Sequence, residues 1–152
     1  MKIIQAHANF EKESRAEDFC VNSCGYFYDI DINTSINRVF GRSDYQFIYV
    51  TAGHISIKRN NVRSVVNPGE YLLFSPYEPQ VYSCSAEDKS AYYWIHFTGN
   101  KAADLLRNCG ISAGSGKTRN YSEPDIEIIL NMISEINGRK SNYQFIDRKS
   151  VV

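Results

Sequence analysis

Apolar and polar positions alternate with period two along much of this chain as far as residue 97, and recur at helical spacing after it. Residues 1–19 show no clean period and predict a loosely docked tail. Phe19 to Asp31 is β-prone, and the polar Asn33-Thr34-Ser35 reads as the turn that ends it. Tyr45–Thr51 is a strong strand turned by Ala52-Gly53. His54–Arg59 and Val62–Val66 form a hairpin through Asn60-Asn61, because Asn tolerates φ > 0. Asn67-Pro68-Gly69 predicts a turn, with φ preset at Pro68 and positive φ accepted at Gly69. Tyr71–Phe74 follows with no polar alternation, as a strand buried on both faces, and the prolines of Ser75–Pro79 stop it. Val81–Ser85, the charged loop Ala86–Ser90 and Ala91–Phe97 complete the series. Short strands with regularly spaced turn signals predict a barrel or a sandwich.

The period changes at Thr98-Gly99. Asn100–Cys109 predicts a helix with Leu105, Leu106 and Cys109 along one side and Gly110 closing it. Residues 111–121 read as a Gly/Ser-rich linker. Ser122 is a good N-cap, Pro124 suits the first turn, and Ile126, Ile129, Leu130, Ile133 and Ile136 then mark one helical face. Tyr143–Val152 predicts a third helix that is cut short. The expected organisation is therefore an arm and barrel over residues 1–99 and a helical subdomain over 100–152.

Within Ala91–Phe97, period two sends Tyr92, Trp94 and His96 to one face and Tyr93, Ile95 and Phe97 to the other. The second face is wholly apolar or aromatic and suits packing beneath a helix. The first carries a phenol, an indole N–H and an imidazole, polar tips that need partners when buried. A barrel interior lined this way wants a polar ligand or ordered water; the alternative is an amphipathic strand at the surface.

Composition narrows the function classes. Hydrophobic residues at 43% and aromatics at 13% of 152 residues support a packed core. Seventeen basic and seventeen acidic residues cancel, so the chain has no electrostatic footprint for nucleic acid or membrane. No apolar run is long enough to span a bilayer, and Met1–His7 lacks the core of a signal peptide, so a cytoplasmic location is expected. Cys20, Cys24, Cys84 and Cys109 form no Cys-x-x-Cys pair and are expected as thiols.

Motifs for catalysis are missing. Gly114-Ser-Gly-Lys-Thr118 has the end of a phosphate-binding loop, but the required first Gly falls on Ile111 and no strand precedes it. His7, His54 and His96 share no ligand spacing, and no nucleophile motif occurs. No cofactor, no metal and no enzymatic activity are expected.

Three stretches in order carry a family resemblance: Arg42-Ser-Asp-Tyr-Gln-Phe-Ile-Tyr-Val-Thr-Ala-Gly53, Pro68-Gly-Glu-Tyr-Leu-Leu-Phe-Ser-Pro76 and Trp94-Ile-His-Phe-Thr-Gly99. They resemble the effector-binding domain of AraC-type bacterial transcription regulators, a branch of the cupin barrels. The resemblance implies a mainly β fold, a cupin-like double-stranded β-helix followed by a small α-helical subdomain. It also implies a small-molecule effector, commonly a sugar, and a homodimer formed through C-terminal helices, to which the Ile126–Ile136 stripe would belong. DNA binding would reside in a region that this chain lacks. The ligand-contacting positions carried over fall on Arg38, Tyr82, Tyr92 and Trp94; strand alternation adds His96, and Arg42 could serve in place of Arg38. In a metal-binding cupin, the positions of the metal-ligating Glu and last His would fall on Gln46 and Gln80, and no ligand survives. Two other readings stay open: a cupin-type sugar-modifying enzyme, and a stand-alone binding or oligomerisation module.

Overall fold

Asn60 and Asn61 both adopt positive φ, 51° and 62°, and this tight turn is the centre about which the chain is wound. A computed structural model describes residues 1–7, 18–112 and 114–117. Its strands are β1 (Lys2–His7), β2 (Cys20–Tyr28), β3 (Thr34–Arg38), β4 (Tyr45–Ala52), β5 (Ile55–Arg59), β6 (Val62–Val66), β7 (Glu70–Phe74), β8 (Gln80–Cys84), β9 (Ala91–Thr98) and β10 (Gly114–Lys117). One helix, α1 (Ala102–Asn108), follows β9.

Pairing runs outward from the turn. Ile55 faces Val66, Tyr49 faces Tyr71, Arg38 faces Gln80 and Cys24 faces Ile95, each pair lying almost symmetrically about Asn60-Asn61 in sequence. The segment from β2 to β9 is thus one long antiparallel hairpin. It is wound so that successive strand pairs fall in opposite sheets, β2-β9-β4-β7 in one and β3-β8-β5-β6 in the other. That order is the double-sheet jelly roll, an eight-stranded barrel. β1 and β10 extend the first sheet at its two edges, giving six strands.

Both faces of the larger sheet are buried along its central strands. Its outer face, with Val21, Tyr49, Tyr71, Leu73, Tyr93 and Phe97, packs under Ala102 and Leu106 of α1. Its inner face meets the smaller sheet through Ile48, Val50, Leu72, Phe74, Tyr92 and Trp94 on one side and Ile55, Ile57, Val66, Tyr82 and Cys84 on the other. The expected split of β9 is therefore present, with Tyr92, Trp94 and His96 inward and Tyr93, Ile95 and Phe97 outward. Gly69, at φ 85°, makes the predicted turn before β7, and Gly110, at φ 71°, ends α1.

Three expectations are corrected. Lys2–His7 is an edge strand paired along its whole length with β2, instead of a loose tail. Thr34 and Ser35 open β3, so only Asn33 of the expected polar turn lies outside the strand. Gly114–Lys117 pairs with β7 as an edge strand, where a linker was expected; its backbone supplies the ladder that its side chains do not advertise. The Ser122–Ile136 helix with its Ile126–Ile136 stripe, and the Tyr143–Val152 helix, lie outside the described residues, as does most of the 100–152 subdomain. No helix among the described residues is long and apolar enough to cross a membrane. The four cysteines are free thiols, and burial pushes Cys24 up to about 12.

Candidate ligand-binding cavity

Inward positions of the barrel stack in layers along the strands. Ile36, Tyr82, Ile48, Trp94 and Leu72 occupy one layer, set by the pairings Ile36–Tyr82, Ile48–Trp94 and Ile48–Leu72. Two residues along each strand, the same alternation brings Arg38, Gln80, Gln46, His96 and Phe74 together with Ser23. This second layer is polar, and it borders a cavity of about 270 Å3. The cavity is lined by Arg38, Tyr82, Tyr92, Trp94 and His96, the five residues singled out in the sequence, together with Arg42 and Gln46. β1 adds Gln5 and His7, and Phe27 and Ile36 complete the wall.

Polar contacts fix the geometry. Arg38 Nη1 donates to Gln80 Oε1 at 2.6 Å and to Gln46 Oε1 at 3.4 Å, and Gln46 Nε2 donates to the Tyr82 hydroxyl at 3.1 Å. Gln46 and Gln80, one from each sheet, thus converge on one guanidinium nitrogen. Among the described residues, no group of three His, Cys, Asp or Glu side chains is placed to hold a metal ion. Arg42 also reaches the cavity, but Asp44 clamps it through Nε at 2.7 Å and Nη2 at 3.2 Å. Asn22 Nδ2 holds the same carboxylate at 3.1 Å.

Trp94 stands between His7 and His96, with ring centroids 5.8 and 4.8 Å away. Gly25 lies opposite Trp94 in the β2–β9 register, and a Cβ there would come within 2.7 Å of the indole, so only glycine lets the ring approach β2 this closely. His96 Nδ1 and the Ser23 hydroxyl are 2.7 Å apart. In either tautomer that bond leaves Nε2 with a hydrogen-bonding valence to spare. Burial, reinforced by the Arg42 guanidinium, holds the imidazole down at about 3, so it is neutral near pH 7. Burial likewise drives the Tyr92 phenol up, which keeps it a neutral donor and acceptor. His96 Nε2, Trp94 Nε1 and Gln80 Nε2 are buried without a hydrogen-bond partner among the described residues. Such atoms are rare and costly in folded proteins.

Gln5, His7, Phe27, Ile36 and Gln46 escaped the sequence reading. His7 and Gln5 sit on β1, whose mixed composition hid the strand. Gln46 was noticed only as a missing metal ligand. His54, by contrast, pairs with Asp88 at 3.1 Å near the surface and takes no part.

A double-sheet β-barrel with a polar, aromatic-lined cavity between its sheets is an architecture suited to small-molecule binding. The chain belongs to the AraC-like ligand binding domain family, whose model matches residues 31–142. The HTH-type transcriptional regulator YisR of Bacillus subtilis (strain 168), itself uncharacterized, is 36% identical over 64 residues, which cover 42% of this chain and 22% of that protein. Among solved structures, the chain is similar to the Cupin_2 domain of an XRE family transcriptional regulator from Enterobacter cloacae, with TM-score 0.41, 9% identity and coverage of 62% of this chain and 94% of that one. It is also similar to the plu4264 protein of Photorhabdus luminescens, with TM-score 0.43, 10% identity and coverage of 70% and 82%.

Proposed function

We propose that this chain is the effector-sensing part of an AraC-type transcription regulator, and that the barrel cavity takes a small polar effector of carbohydrate type without transforming it. The observation that carries the reading is the pair of buried polar atoms, Trp94 Nε1 and His96 Nε2, that have no hydrogen-bond partner among the described residues and sit on two residues lining one cavity. A ligand with hydroxyl groups would satisfy them, and its apolar C–H face suits the indole ring. Arg38 would donate a forked pair of hydrogen bonds, while Tyr82, Tyr92 and His96 would fix orientation through single contacts. The volume lies just below the roughly 300–1,000 Å3 of drug-sized pockets, which favours a ligand of monosaccharide size.

Control of transcription then requires a DNA-binding part beyond this domain and, in our reading, a homodimer formed through the region after residue 117. The balanced charge of the chain leaves little to displace counterions from DNA. A gel shift at physiological salt is expected to show no sequence-specific binding by this chain alone.

The test is a thermal-shift screen of small polar compounds. A ligand that binds only the folded state stabilises it by about 2.7 kcal/mol at a hundredfold excess over Kd. Trp94→Ala should remove the response to any cavity ligand while leaving a folded, less stable barrel. A hit whose binding is unchanged in folded Trp94→Ala protein would place the site elsewhere.

A further inference from the structure

Charges around the cavity do not balance. Its lining includes two guanidiniums, Arg38 and Arg42, and two imidazoles, His7 and His96, but no carboxylate. Arg42 is already neutralised by the bidentate Asp44 clamp. Arg38 is not: its contacts among the described residues are the two neutral amides of Gln46 and Gln80, both made through Nη1. A guanidinium cannot shed its proton in a protein. Half-buried and without a counterion among the described residues, it gives the described cavity wall positive charge, and its planar fork can pair with a carboxylate through two parallel hydrogen bonds. The same charges act on His96: burial is the main force against its protonation, Arg42, Arg38 and His7 add to it, and the Asp44 carboxylate works the other way.

The rest of the wall asks for a hydroxylated molecule. Tyr82 and Tyr92 carry hydroxyls, His96 and Trp94 carry open nitrogen positions, and the indole supplies a flat face. Resting on the effector-sensing reading above, we infer that the effector is a sugar acid of monosaccharide size, its carboxylate paired with Arg38 and its ring against Trp94. Gln46 and Gln80 hold the guanidinium in place without cancelling its charge, which is what carboxylates at those positions would do.

Titration calorimetry with galacturonate and glucuronate, each against its uncharged counterpart galactose or glucose at millimolar concentration, tests this directly. The expected result is binding of at least one uronate, with its neutral counterpart about ten- to hundredfold weaker. Arg38→Gln should erase that preference. Gln46→Glu should erase it too, by setting a carboxylate against the guanidinium, and should leave the thermal midpoint close to that of the parent protein. Arg63→Gln, on the exposed strand β6, should change nothing and so separates a local pairing from net charge. The inference is overturned by equal affinity for a uronate and its neutral sugar, by a preference that survives Arg38→Gln, or by failure of both uronates to bind. A neutral compound that stabilises the protein and loses its effect in Trp94→Ala would sink the sugar acid and keep the effector-sensing reading. If no compound in a wide screen shows Trp94-dependent binding, that reading falls as well.

Discussion

At one end of the barrel interior, Val50, Ile55, Val66 and Cys84 meet in an apolar layer. At the other end, Gln46, Gln80, Arg38 and His96 occupy inward positions, and Gln46 and Gln80 sit on the same strands as Val50 and Cys84. Backbone alternation places both sets alike, so the difference is entirely one of side-chain chemistry. The apolar end completes itself: Val50, Ile55 and Val66 pack against one another, and the Cys84 thiol has Thr34 and Ser90 as hydrogen-bond partners. The polar end holds a guanidinium whose contacts among the described residues are neutral amides, together with buried nitrogen atoms that have no partner among those residues. Such a cost persists in native structures mainly where function requires it. In the proposed reading, stability and binding are separated along one barrel axis by about four residues of strand.

The sharpest way to break this comparison is to truncate one residue at each end. Ile55 is fully buried in the apolar layer. Ile55→Ala should cost about 2–5 kcal/mol, through lost transfer energy and the cavity left behind. Arg38→Gln should stay within about 1 kcal/mol, since a shorter amide can still bond Gln80 and no ion pair among the described residues is broken. Urea unfolding of both variants decides the matter. Equal losses would mean that the polar end is part of the core after all.

Acid should act on the polar end first. The His96 imidazole is held at about 3 in the fold against an ordinary 6.5, so between those values the unfolded chain binds the extra proton. Its contribution is fully present above pH 6.5 and is lost as pH falls toward 3. The slope is on the order of 1 kcal/mol per pH unit, or about 2 kcal/mol between pH 7 and 5. His96→Gln should flatten that part of the stability–pH curve while the carboxylates still dominate below it. An unchanged slope in His96→Gln would assign the acid sensitivity to other groups.

How far each end could be read from the sequence follows the same division. The apolar layers announce themselves, because Tyr45–Thr51 and Tyr71–Phe74 are dense in β-formers and Asn60-Asn61 fixes the hairpin that organises all the pairing. The alternation of β9 was readable for the same reason, its cavity-facing residues being large and aromatic. β3 was not. It points Thr34, Ile36 and Arg38 inward and exposes Ser35 and Asn37, so a strand that helps to build the cavity carries almost no hydrophobic period. β1 is largely exposed, and β10 offers only Gly-Ser-Gly-Lys; both are edge strands held by backbone hydrogen bonds, which composition does not encode. Gln46 illustrates the last limit. Its identity showed that a metal ligand was missing, yet its partnership with Arg38 is a contact between the two sheets that no local spacing reveals.

The smallest expected effect sharpens the comparison furthest. Trp94 Nε1 is buried without a partner among the described residues, so its N–H contributes desolvation cost and no described hydrogen bond to the fold. Trp94→Phe removes that donor and keeps an aromatic ring between Phe27 and His96. The lost ring volume costs stability and the lost orphan returns some, so the net change should stay within about 1 kcal/mol of zero. An ordinary core tryptophan, with its N–H bonded and its ring fully packed, would cost clearly more. Binding should respond differently, because a ligand that accepts from Nε1 loses that bond in the phenylalanine variant. A protein unchanged in thermal midpoint and weakened in effector affinity would show that the indole N–H serves recognition alone. A large loss of stability would instead mean that the ring is structural, and the contrast between the two ends would weaken with it.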